Sequence, residues 1–145
     1  MIFRSKIDTF YTVFMSMLVI IIGLVSFLPL FLDDAPILAI ILLTSMFFIT
    51  LSFLLWMSFS IKYIFNEDHL FVESGPFKIR IPYENITKVT PTTAVLSGHR
   101  ILSSRDAIEI YNRTTFWGSI KISPKDKKSF IAELASHCPN LKVEL

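Results

Sequence analysis

The chain has 145 residues, of which 52% are hydrophobic and 18% charged, with a formal net charge of +2 and a mean hydropathy of +0.58. This composition excludes a disordered chain and points to the membrane class. One cysteine, Cys138, excludes a disulfide framework.

Arg4 and Lys6 open the chain, and from Thr9 to Leu32 there follow 24 residues without a charge. A second charge-free run of 27 residues extends from Ala35 to Ile61. A helix of about 20 residues crosses the hydrocarbon core, so both runs are long enough to span. The first is longer than the roughly 7–15 apolar residues of a signal peptide and has no small-x-small site before Asp33, so it reads as a retained helix.

Only Asp33-Asp34-Ala35-Pro36 separates the runs, which makes a tight hairpin with an acidic tip. Lys and Arg lie at the opposite ends: Arg4 and Lys6 before the first span, Lys62, Lys78 and Arg80 after the second. The positive-inside rule then predicts cytoplasmic termini and an external tip. The spans contain no Asp, Glu, Lys, Arg or His, which argues against an ion or proton pathway. Ser16 and Gly23 on one run, and Ser45 and Ser52 on the other, recur at intervals of seven. That spacing predicts a small-residue stripe where the helices pack or meet a third partner.

The sequence divides into a hairpin over residues 1–61, with spans at about 9–32 and 35–61, and a cytoplasmic domain over 62–145. The second part holds 12 of the basic and 9 of the acidic residues, a surplus too small for a nucleic-acid footprint. Its apolar residues alternate with polar ones, as strands require. Tyr63–Phe65 and His69–Glu73 flank the turn Asn66-Glu67-Asp68. Gly75-Pro76 leads into Phe77–Ile81, where Phe77, Ile79 and Ile81 share a predicted core face and Lys78 and Arg80 the wet face. Ile86–Thr90, Ala107–Tyr111 and Phe116–Ile122 follow, and the short connections predict an antiparallel meander.

The long polar stretch from Pro91 to Arg105 exceeds the usual connection length, and lengths of this kind accompany function. Val95, Leu96, Ile101 and Leu102 within it either tuck under the sheet or face a partner. Ser123 is an N-cap candidate, Pro124 fits a first helical position and Asp126 completes a capping box. Phe130, Ile131 and Leu134 mark the buried face of a helix ending near His137, before Pro139.

No chemistry-bearing constellation emerges. His69, His99 and His137 are scattered without ligand spacing, so no metal site and no cofactor is expected. Ser97, Ser103, Ser104, His99 and Asp106 offer hydroxyls, an imidazole and a carboxylate, without the pattern that surrounds a nucleophile. The chain reads as a non-enzyme.

Gly75-Pro76-Phe77-Lys78 with Ile81-Pro82, then Ser104-Arg-Asp-Ala-Ile-Glu-Ile110, then Ile122-Ser-Pro-Lys-Asp-Lys-Lys-Ser-Phe130, resemble the bacterial PH-like domain family known as YyaB-like, in its two-helix membrane-anchored members. The middle motif departs from that family's usual Ser-Leu-Asp-Arg-Ile, with Arg105 and Ala107 in place of the Leu and the Arg. The resemblance implies a two-helix transmembrane hairpin followed by a mainly-β, PH-like bent barrel of about seven antiparallel strands and a C-terminal α-helix. It implies a multi-pass protein of the bacterial cell membrane that has no catalytic activity. It also brings an association with envelope defence such as bacteriocin self-immunity, which attaches to a related anchored member. Lipid-binding eukaryotic PH domains carry their basic cluster in the loop between the first two strands, and here Asn66-Glu67-Asp68 is acidic.

The expected function is that of a membrane-anchored interaction module. Its partner is a protein or an anionic lipid, met by a surface of Ser104, Arg105 and Asp106, with Lys78 and Arg80 as a second surface. The alternative is a structural subunit recognised through its hairpin.

Overall fold

A computed structural model describes residues 1–32, 34–94, 98 and 100–144. Two long helices lead, α1 (Thr9–Leu32) and α2 (Ile37–Phe59). Both are apolar and long enough to cross a membrane. They pack as a hairpin with inward faces at Tyr11, Met15, Leu18, Ile22 and Phe27 on α1, and at Leu43, Phe47, Leu51 and Leu54 on α2. Gly23 lies on this inner face, where a Cβ would stand 3.5 Å from the Phe47 ring. Ser16, Ser45 and Ser52 instead face outward. The expected seven-residue stripe is therefore not the packing seam, because the seam follows the 3–4 spacing of a nearly straight helix rather than a strict heptad.

The remainder is a sheet domain capped by a helix. The first sheet runs β1 (Ile2–Arg4), β2 (Lys62–Phe65), β3 (His69–Ser74) and β4 (Phe77–Pro82), all antiparallel. After a 3₁₀ turn at Tyr83–Asn85 the chain enters the second sheet. There β5 (Ile86–Thr92), β6 (Arg100–Ile101), β7 (Ala107–Asn112), β8 (Ser119–Ile122) and β9 (Lys142–Val143) take the order β6-β8-β7-β5-β9. The hairpin strands fall where alternation predicts them, within one or two residues except at β8.

Three features differ from expectation. Among the described residues the two sheets do not join into a closed barrel, since Pro82 and the 3₁₀ turn redirect the chain at the end of β4 and β5 pairs with β7 instead. Two pairings are parallel, β6 with β8 and β9 with β5, because each of these strands arrives after a crossover, β9 by way of a helix. The third is β1, which precedes α1 yet pairs with β2 after α2, Ile2 opposite Ile64 and Arg4 opposite Lys62.

The helix α3 (Lys127–His137) lies over the open side and buries Phe130, Ile131 and Leu134. Its N-cap is Asp126, whose carboxylate accepts from the Ser129 N–H at 3.1 Å. Ser123 and Pro124 therefore lie outside the helix. Ser123 is buried with its hydroxyl committed to other partners, and Pro124 bridges to Ser5. Phe130 sits at the centre of the core with Phe3, Tyr63 and Phe65 packed around its ring at centroid distances of 5.0 to 5.9 Å. The aromatic edges and faces meet in the tilted and T-shaped arrangements that rings prefer. His137 stacks on Tyr83 at 4.6 Å, and Cys138 is buried beside it.

Candidate functional site

The sheet domain meets the helices at a polar junction built on serines. Ser5, Ser103 and Ser123 form one cluster: Ser5 Oγ lies 2.7 Å from Ser103 Oγ and 2.9 Å from Ser123 Oγ. The Ser103 N–H donates to Ser123 Oγ at 3.0 Å, and the Ser103 hydroxyl donates to the Lys6 carbonyl at 2.8 Å. Beneath them Tyr63 donates to the Ile101 carbonyl at 2.7 Å and accepts from the Ser123 N–H at 3.2 Å. Burial pushes its phenol up to about 12 against the pull of those hydrogen bonds.

Next to this cluster, Asp8 joins helix and sheet. One carboxylate oxygen accepts from the Tyr11 N–H at 2.9 Å and so caps the first turn of α1. The other accepts from the Ser104 hydroxyl and the Arg105 N–H, both at 2.8 Å. Burial would raise the Asp8 pKa, but the hydrogen bonds from Tyr11, Arg105 and Ser104 and the nearby Lys6 charge outweigh it, and the group is held below the usual carboxylate range. Asp106 is lowered in the same way, by hydrogen bonds from Lys127 and then Lys6.

The residues expected to form an interaction surface thus occupy unequal positions. Ser104 is 1% exposed and spent on Asp8. Asp106 bridges Lys6 and Lys127. Arg105 is exposed, with its guanidinium 4.7 Å above the Phe10 ring at the start of α1. Lys78 is exposed on β4, 3.8 Å from Glu73, and Arg80 leans on the Phe71 ring at 6.0 Å. Their shared outward direction follows the strand alternation, although Phe77 at the start of the strand is also exposed. It lines a recess together with Met57 of α2 rather than entering the core.

Ser104 and Lys78 mark two ends of a continuous groove. A recess of about 230 Å³ between the helices and β6 is lined by Phe14, Leu18, Leu54, Arg100 and Ser104 among others. A neighbouring recess of about 380 Å³ carries Lys78 and Phe77 and shares Met57, Ser74, Arg100 and Ile101 with the first. Arg80 lies outside both. Within the long 91–105 stretch Ile101 is buried in the core and Leu102 lines the groove, while Val95 and Leu96 lie outside the described residues, as does Asp33 of the hairpin tip.

Ser97 and His99 also lie outside the described residues, and the Ser103 and Ser104 hydroxyls serve the junction. Among the described residues no three His, Cys, Asp or Glu side chains converge on a cation position. His69 contacts Asp68 and Asn66 in the β2–β3 turn.

One feature was missed from sequence. Phe116 and Trp117, read as the start of a strand, form the β7–β8 turn and are 94% and 67% exposed. The preceding turn is fixed by Asn112 Oδ1, which accepts from the Thr114 and Thr115 N–H groups. Gly118 follows at φ +71 with the conformation that glycine favours. The signal was present as Asn112-Arg-Thr-Thr before two aromatics and a glycine.

A family model described as "Bacterial PH domain" matches residues 61–138. The chain belongs to the bacterial PH domain family. Within it, the chain is 41% identical over 75 residues to the uncharacterized protein YyaB of Bacillus subtilis (strain 168), an alignment covering 52% of this chain and 51% of that protein. The chain thus aligns with about half the length of this curated relative. No solved structure matches. PH domains are in general interaction modules rather than catalysts, and a bacterial PH domain joined to two apolar helices is compatible with a membrane protein that presents such a module.

Proposed function

We propose that this protein is a non-enzymatic, two-span protein of the bacterial cell membrane that holds its PH domain against the cytoplasmic face as a docking module. The observation that carries this reading is the pairing of β1 with β2. The strand before α1 and the strand after α2 belong to one sheet, so both ends of the hairpin, and the domain with them, stand on one side of the bilayer. The charge pattern supports the cytoplasm as that side: Arg4, Lys6, Lys62, Lys78, Arg100 and Arg105 cluster near the helix ends, and the described tip residue Asp34 is acidic. Tyr11 and Trp56, near the same ends, suit the interfacial level where aromatic residues collect. Functionally the chain divides into a hairpin over 1–61 and a PH domain over 62–145, with β1 contributed to the second part by the first.

Three exposed features suit a partner: Arg105, the Lys78 and Arg80 pair, and the Phe116–Trp117 tip. The tip stands at the opposite end of β7 from Asp106, which pairs with Lys6 before α1, and aromatic residues of this kind dominate protein interfaces. Physiologically we propose envelope defence such as bacteriocin self-immunity, a theme supported by the family resemblance alone. Crosslinking capture from the native membrane tests the module: a partner lost from an Arg105→Glu, Lys78→Glu, Arg80→Glu variant supports it. Undiminished capture moves recognition to the outward faces of the hairpin, where Ser16, Ser45 and Ser52 lie. Survival of a bacteriocin-sensitive strain carrying the gene, against the same strain carrying the variant, tests the physiological theme.

A further inference from the structure

The groove between the helices and the sheet domain combines an apolar floor at membrane depth with cations at its mouth. Its floor is built from Phe14, Leu18 and Leu54, of which Leu18 and Leu54 face the seam between α1 and α2 while Phe14 is 46% exposed. From Phe10 to Leu18 the helix rises about 12 Å, most of the roughly 15 Å hydrocarbon depth of one leaflet. At the mouth stand Arg100 and, in the adjoining recess, Lys78.

The two ends have different chemistry, and one ligand class matches both. A guanidinium offers five N–H donors and so keeps capacity beyond any single partner. The Lys78 ammonium lies 3.8 Å from Glu73, too far for that carboxylate to satisfy its donors. Glu73 is itself flanked across the strands by Lys62 and Lys78, which leaves the lip net positive. Ser74 at the lip is occupied, donating to the Met57 carbonyl at 3.3 Å.

We infer that the groove is a binding site for one anionic phospholipid of the cytoplasmic leaflet, with an acyl chain along the α1–α2 seam and its phosphate between Arg100 and Lys78. The charge complementarity selects an anionic over a zwitterionic headgroup, and the opening of the floor onto the spans supplies the lipid without extraction from the bilayer. The lipid then joins helices to sheet along a groove that ends at Ser104 of the Asp8 junction. The site differs from the first-loop headgroup site of lipid-binding PH domains, whose counterpart here is the acidic Asn66-Glu67-Asp68 turn. The inference rests on the two helices spanning the membrane, as proposed above.

The test uses the full chain in nanodiscs of phosphatidylcholine mixed with phosphatidylglycerol, with lipid retained on the released protein read by native mass spectrometry. The expected result is one phosphatidylglycerol retained in preference to phosphatidylcholine. Lys78→Gln and Arg100→Gln should each lower that retention about fivefold, while Lys128→Gln, an exposed cation on α3, leaves it unchanged. Leu54→Trp, which fills the floor, should abolish it. Should the Trp variant fail to insert, the two charge variants still decide, because they change only the mouth. No headgroup preference in the wild type, or equal retention by the Lys78→Gln, Arg100→Gln double variant, overturns the site. Displacement of the lipid by inorganic phosphate also overturns it, since the cations would then recognise the free anion alone. Carbonate extraction of the same preparations reports insertion: a chain that does not insert refutes the spanning reading, and an inserted chain without lipid preference refutes only the lipid site.

Discussion

Replacing Asp8 by Ala removes a carboxylate that serves α1 and the sheet domain together. The helix loses its N-cap to Tyr11, a change that costs about 0.5–2 kcal/mol. The Ser104 hydroxyl, almost wholly buried, loses its acceptor, and an unmet buried donor costs about 1–3 kcal/mol. The Arg105 N–H is exposed and turns to water, adding little. The junction is therefore weakened by about 1.5–5 kcal/mol, which in native-state hydrogen exchange corresponds to faster exchange at Arg105 by roughly tenfold or more. Exchange at the core strands should stay slow, because the opening is confined to residues near 5–8 and 103–106. Asp8→Asn keeps one oxygen for the Tyr11 N–H but presents an NH₂ group to donors on the other side. It should restore the helix cap and leave Arg105 unprotected. Unchanged protection of the Arg105 amide in Asp8→Ala would refute the coupling of span to domain through this residue.

Other expectations can be checked on the same protein. Phe130→Ala removes the ring at the meeting point of Phe3, Tyr63 and Phe65 and should cost about 3–5 kcal/mol in denaturant unfolding; a loss below 1 would mean that the core collapses around the gap. Asp8 and Asp106 have lowered folded-state pKa values, so their stabilisation is present above the unfolded carboxylate pKa and is lost as pH falls through the folded values. Thermal melts should hold level from neutral pH down to about 5 and decline below about 4, and a decline already complete at pH 6 would contradict this. The Tyr63 and Tyr83 phenols are held up to about 12 from 10.0, so their stabilisation is full below pH 10.0 and is lost as pH rises to about 12. Ultraviolet titration should show them ionising last, and ionisation near 10 in the folded protein would contradict their burial. Phe116→Ser with Trp117→Ser should change stability by no more than about 0.5 kcal/mol, since both side chains are exposed; a larger drop would show that the tip packs on the domain.

Elements governed by local chemistry were legible in the sequence. The charge-free runs located α1 to the residue and α2 within two, because a helix apolar enough to cross a bilayer seldom carries a charge. Period-two alternation found β2, β3, β4, β5 and β7 for the same local reason. What escaped was set by distant partners. Ile2–Arg4 has no strand signal of its own and becomes a strand because Lys62–Phe65, some sixty residues away, presents a free edge. Ser123 has the sequence context of a helix cap, yet the buried Ser103 N–H and Ser5 hydroxyl hold it, so Asp126 caps instead. Phe116 and Trp117 have the composition of a strand and were displaced into the turn by the Asn112 side-chain Oδ1. The candidate residues divide likewise: outward-facing Lys78 and Arg80 followed from alternation, whereas the engagement of Ser104 and Asp106 by the arm before α1 depends on contacts across about a hundred positions.

The account stands or falls on the PH domain and both hairpin ends sharing the cytoplasmic side. In a Cys138→Ser background, Asp34→Cys and Lys128→Cys variants of the full chain should be treated with a membrane-impermeant maleimide on intact bacterial cells, then after lysis. The account predicts that Asp34→Cys labels on intact cells and Lys128→Cys only after lysis; labelling of Lys128→Cys on intact cells would contradict it.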